Sequence, residues 1–130
     1  MISLLAEIIL LTGSTSPICN YADWYYRIST QTITICRNNK NPLAIPHELA
    51  HHIYFKKLTE NQRNMWIKLS KMSWKYDYVS EYAKSSPDED FAETITQVMI
   101  NDIEFSEFSK VMKQKYKYAR IIIDKYNLTK

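Results

Sequence analysis

Glycine is almost absent: Gly13 is the one glycine in 130 residues. Phosphate-binding loops and dinucleotide-binding turns need several glycines close together, so both are excluded. Tight hairpin turns also draw on glycine, which disfavours a protein of many hairpins and favours a mostly helical one. With four prolines, the chain is neither proline-rich nor collagen-like. Cysteine is sparse as well. Cys19 and Cys36 fit no metal-binding spacing, and a disulfide and two free thiols are both open. The redox compartment is therefore undecided, with the cytoplasm slightly ahead of secretion. The apolar run at 2–11 is too short to span a bilayer, no base precedes it, and Glu7 interrupts it. With Leu4, Ile8 and Leu11 on one face, it reads as a buried amphipathic helix rather than a cleaved signal.

What is present is a globular composition: 45% apolar, 13% aromatic and 24% charged residues. One domain covering 1–130 is expected, with an aromatic-rich core or cleft. The net charge of +3 is too mild to argue for a nucleic-acid partner. Its distribution says more. Residues 81–107 hold eight acids and one base, Lys84, whereas 110–130 hold seven bases and one acid, Asp124. The basic tail reads first as a solvated helix face. A nucleic-acid-associated protein using Lys113, Lys115 and Lys117 is a minor alternative.

Residues 24–28 and 32–36 are rich in aromatic and β-branched side chains and read as a hairpin of two short strands. A helix follows from about 43–46 to 58, with Pro46 tolerated in its first turn. Thr59 and Gln62 form a capping-box signature for a helix to about 74. Residues 75–86 read as irregular. Ser86-Pro87-Asp88-Glu89 combines an N-cap residue, a first-turn proline and first-turn acids, starting a helix to about 101. A last helix is expected over about 105–126. The fold class is α+β, mostly helical.

Chemistry is concentrated in His47-Glu48-Leu49-Ala50-His51. Residues four apart share a helix face, so both imidazoles can reach one cation. Neutral imidazole suits zinc, and the intervening glutamate can take a proton from a metal-bound water. Ile45, Leu49 and Ile53 form a row that would bury this helix in the core. No glycine-containing continuation with a third histidine follows, which disfavours a metzincin. His52 points about 100° away from His51 and is read as second to the metal, as cleft wall or as solvated. Asp88, Glu89, Asp90 and Glu93 are the candidates for a third ligand. Glu89 and Glu93 are four apart, which suggests that Glu89 binds the metal while Glu93 accepts the second N–H of a ligand histidine. Asp88 and Asp90 read as acids complementing the helix dipole.

HELAH followed by E-x-F-A-E resembles the glutamate-zincin metallopeptidases. More narrowly, YAKSSPDEDFAET is similar to the metal-site segment of the lethal-factor-like members. The resemblance covers roughly 24–127 and is specific only at 46–52 and 82–93. It implies a small zincin-like domain with one Zn2+ held by His47, His51 and Glu89, and with Glu48 as general base. By its position seven residues before Glu89, it also implies Tyr82 as stabiliser of the oxyanion. The expected activity is endopeptidase action on a protein or peptide substrate laid along an edge strand at 31–36, with the Tyr-rich loop 76–82 walling the cleft. The alternative is a silent zinc-containing binding or regulatory module. Glu48 argues against it, because a structural site has no use for a base there. So small a chain leaves substrate choice to the cleft or to a recruiting or inhibitory partner.

Overall fold

The hairpin read from the sequence forms, but it is part of a larger sheet. In the computed structural model, which describes residues 7–37, 41–101 and 109–128, three strands pair: β1 (Ile9–Ser14), β2 (Trp24–Arg27) and β3 (Thr32–Cys36). Their order is β1-β3-β2, with β1 parallel and β2 antiparallel to β3. Trp24 faces Ile35 and Tyr26 faces Ile33 in register. Four α-helices follow: α1 (Ala44–His52), α2 (Glu60–Lys71), α3 (Pro87–Asn101) and α4 (Lys110–Tyr126). The protein is a small, mostly helical α+β fold.

Two expectations fail at the sheet. The described part of the 2–11 run is not a buried helix. Ile9, Leu10 and Leu11 lie in β1 and are 55%, 42% and 50% exposed; residues 2–6 lie outside the described residues. A short apolar run does not separate helix from strand, and pairing with β3 decides the matter. Gly13 sits at a φ of 69° where the β1–β3 register shifts, so the single glycine occupies a position that needs left-handed backbone. Secondly, β3 is the central strand, so 31–36 offer no free edge. The edge beside the helices belongs to β2. Cys19, in a short 3-10 turn over Pro17–Asn20, forms a disulfide with Cys36 at the end of β3. This settles the choice between bonded and free thiols.

Local signals set the helix starts. Thr59 and Gln62 exchange both capping-box bonds at α2. Ser86 Oγ accepts the Glu89 N–H at α3, with Pro87 in the first position. Ser109 caps α4 through the Met112 N–H; the rest of the expected start of that helix, at 105–108, lies outside the described residues. After α1 the backbone widens into one π-helical turn over Ile53–Lys57. A 3-10 turn over Tyr82–Ser85 precedes α3.

The core lies between the helices and the sheet. Ile33, Leu49, Ile53, Phe91, Ile95 and Ile122 are all at or below 1% exposure. Trp66 packs edge-on to Phe91 and tilted against Tyr118, with centroids 5.6 and 5.2 Å away. Asp90 and Lys115 are part of this interior. Their side chains are wholly buried and 2.8 Å apart. Ser70 Oγ and Thr94 Oγ1 donate to the Asp90 carboxylate, and Lys115 also donates to the Asp77 carbonyl at 2.6 Å. Asp90 is therefore not a dipole-complementing surface acid, and Lys115 is not part of a solvated basic face. Burial pushes the Asp90 carboxyl up and the Lys115 ammonium down, against their mutual attraction.

Removing one member of such a pair strands the other charge in the interior. Lys115→Met is expected to cost about 3–5 kcal/mol in urea unfolding. The exposed Lys113→Met should stay within about 0.5 kcal/mol of the native chain.

Candidate metal centre

The i, i+4 spacing on α1 places His47 and His51 on one face, against the i, i+4 pair Glu89 and Glu93 on α3. Small residues permit the approach: Ala50 and Ala92 are at 1% and 0% exposure. His47, Glu48 and His51 are buried at 5–6% exposure. His47 Nε2 and His51 Nε2 are 3.2 Å apart. Glu89 Oε1 lies 2.7 Å from His51 Nε2, and Glu89 Oε2 lies 3.3 Å from His47 Nε2. These three residues form the group of possible ligands.

The atoms fit a cation. Ligands about 2.0–2.1 Å from a tetrahedral zinc stand about 3.3 Å from one another, close to the spacings seen here. Glu89 Oε2 is buried and, although 3.3 Å from His47 Nε2, makes no well-formed hydrogen bond among the described residues, and an acceptor seldom stays so unless something else binds it. The outer nitrogen of His47 is also occupied as a ligand histidine requires. Its Nδ1 is 3.0 Å from Glu93 Oε2, while Ser80 Oγ donates to Glu93 Oε1 at 2.8 Å. Ser80 was not singled out by the sequence. Asp88 Oδ2 stands 3.8 Å from His51 Nδ1, beyond a direct hydrogen bond, at the rim of the cleft.

The charges interlock. Burial alone would lower the His47 imidazole, but hydrogen bonds to Glu89 and Glu93, with the Glu48 charge, raise it to about 9 in the metal-free protein. Burial would raise Glu89, but hydrogen bonds from His47 and His51 hold it at about 2. Glu48 is pushed up chiefly by burial, against the nearby histidines. Its Oε1 is 3.9 Å from His47 Nε2, beside the ligand group rather than within it. Tyr82 stands with its ring centroid 6.2 Å from that of His47. Burial and the Glu89 charge push its hydroxyl up to about 12, so it stays protonated.

A cleft runs past Glu48 on both sides. One half, about 410 Å³, reaches Asp23, Leu43 and Gln97; the other, about 390 Å³, reaches Tyr26, Phe55 and Asp88. Trp24, Glu48 and Tyr82 line both. No Lys or Arg lines either half among the described residues. Of the loop 76–82, only Tyr82 contributes a wall. Further walls come from 21–23, Leu43, Phe55, Gln97 and β2, and the signal for β2 in the sequence was the alternation of Trp24 and Tyr26.

His52 is neither cleft wall nor solvated; it is 1% exposed. Its Nδ1 lies 2.7 Å from the Tyr26 hydroxyl and its Nε2 lies 3.4 Å from Glu7 Oε2. Glu7 Oε1 in turn accepts from Lys57 at 2.9 Å. The set pairs consistently when His52 carries its proton on Nε2 and accepts the Tyr26 hydroxyl at Nδ1. This chain of contacts ties β2 to α1.

No family model matches this chain, and no curated protein or solved structure matches it either. No helix among the described residues is long and apolar enough to cross a membrane.

Glu93→Gln should weaken zinc binding about 10–100-fold in a chelator competition, while Asp88→Asn leaves it nearly unchanged. The raised His47 also predicts a pH dependence. Its folded-state value lies above the ordinary 6.5, so the stabilisation is complete below about pH 6.5 and is lost as pH rises through about 9. Metal-free protein should lose urea resistance across that window. Zinc displaces the same proton and should bind more tightly across it.

Proposed function

We propose that this protein is a zinc-dependent endopeptidase of the glutamate-zincin type, acting on a protein or peptide substrate. The observation that carries this reading is the convergence of His47 Nε2, His51 Nε2 and the unpartnered Glu89 Oε2 beside the buried carboxylate of Glu48. Two histidines and one glutamate make a three-ligand set that leaves a fourth position open. When bound there, zinc supplies polarisation of the scissile carbonyl and acidification of a water.

The chain's own residues supply the rest. Glu48 takes a proton from the attacking water and hands it to the amine nitrogen as the C–N bond breaks. Burial raises its proton affinity, which suits a base working near neutrality. Tyr82 keeps its proton and donates a hydrogen bond to the carbonyl oxygen as charge builds there. The free edge of β2 offers backbone groups to an extended substrate, taking the place first assigned to 31–36. The Cys19–Cys36 bond favours an oxidising compartment over the cytosol for this activity. The nucleic-acid alternative is weakened, since Lys115, one of its three lysines, is buried.

Glu48→Gln should keep one zinc and lose cleavage of a peptide library by about 10²–10⁴-fold. His47→Ala should lose the metal itself. Equal cleavage by the native chain and Glu48→Gln overturns the mechanism; a native chain that takes up no zinc overturns the site. Tyr82→Phe should lower kcat about a hundredfold with metal affinity unchanged.

A further inference from the structure

A second concave surface, between α2 and α4, shares no lining residue with the cleft at the candidate metal centre. Four residues along α2 and its end, Met65, Lys68, Leu69 and Met72, follow i, i+3, i+4, i+7 spacing. Four on α4, Gln114, Lys117, Tyr118 and Ile121, repeat it. The two helices are held together by the Tyr118 hydroxyl, which donates to the Gln62 carbonyl at 2.6 Å, and the stripes bound a groove of about 440 Å³. Most of its lining surface is apolar, and Met65, Met72 and Ile121 are 60%, 48% and 64% exposed. Exposed apolar surface gathered in one groove costs solubility and marks contact sites.

Basic side chains predominate around it, and the exposed acid within one turn on these helices is Asp124, beyond Ile121. Lys68 and Lys117 lie within the groove, and Lys71 and Lys113 are exposed one turn away on the same helices. None of these four has an ion-pair partner among the described residues, and no acid lines the groove. We propose that this groove is a docking site for an amphipathic helix with an apolar stripe and acidic flanks, supplied by a partner protein. The shape favours a helix, because two side-by-side helical stripes present a furrow that the ridge of a third helix fills. Phosphate backbones are matched by the lysines but not by the methionine and isoleucine walls. A bilayer surface matches a convex apolar face rather than a furrow. The acidic flanks follow from four lysines without an ion-pair partner among the described residues and would speed encounter as well as select the partner.

The test uses the full chain, isotope-labelled, and a helical peptide of roughly 16 residues with leucines at i, i+3, i+4, i+7 and glutamates on its flanks. Amide shifts are expected at Met65–Met72 and Gln114–Ile121, with binding that weakens as salt rises. Ile121→Asp, at an exposed position, should lower affinity at least about tenfold without changing thermal stability. Lys68→Glu with Lys117→Glu should reverse the preference toward a lysine-flanked version of the peptide. The proposal is overturned if the groove amides do not shift, or if a scrambled peptide binds equally well. It is also overturned if single-stranded RNA or phosphatidylserine vesicles displace the peptide and bind the groove more tightly. Sedimentation showing a dimer that Ile121→Asp dissociates would assign the groove to a second copy and overturn it too.

Discussion

The face-to-face packing of α1 on α3 is the constraint on which the rest of the structure depends. Each helix carries a pair of candidate metal-site residues at i, i+4, and the packing brings the two pairs together. Ala50 and Ala92 let the backbones close, while Leu49, Phe91 and Ile95 fill the space beneath. Consecutive residues on α3 then serve opposite sides. Glu89 faces the histidines of α1, and Asp90, about 100° further round, enters the interior and meets Lys115 of α4. The buried pair thus anchors α3 from behind in the position that Glu89 needs in front. A charge pair in the core gains little net free energy against an apolar substitute. Here it also specifies which turn of α3 faces which neighbour.

The electrostatic plan follows from the same packing. Acids collect where α1, α3 and β2 meet, and among the described residues no lysine or arginine lines the cleft to neutralise them. In the metal-free protein a proton on His47 partly compensates, which is why burial fails to lower that imidazole. A divalent cation would compensate more completely and would satisfy Glu89 Oε2 as well. The surplus of base lies on the other side, along α4 and the end of α2. The mild net charge of the chain conceals two opposed faces.

Much of the fold was legible from local chemistry. Capping at Thr59 and Ser86, the proline at 87 and the alternation in 24–36 act over a few residues, and tertiary packing reinforced each of them. That His47 and His51 share a face, as do Glu89 and Glu93, was legible for the same reason, since a four-residue spacing on a helix fixes which side chains lie together. Three readings went astray where the answer depended on distant partners. The run at 2–11 had to find β3 before its described part could be a strand. His52 reads from the sequence as second to the metal, cleft wall or solvated because Glu7 and Tyr26, its partners, come from other elements. Lys115 looked like its neighbours Lys113 and Lys117 because nothing local marks the lysine that turns inward to Asp90.

The sequence by itself determined the helical character and the helix starts, and it nominated the residues proposed to bind a cation and move a proton. Helical periodicity and capping are properties of neighbouring residues, so they can be read without knowing the fold. Only the tertiary structure decided which strand keeps a free edge, which acid on α3 faces the histidines and which enters the core, and that Cys19 reaches Cys36. Each of these depends on the distance between segments remote in sequence. That distance is set by how the apolar faces pack together.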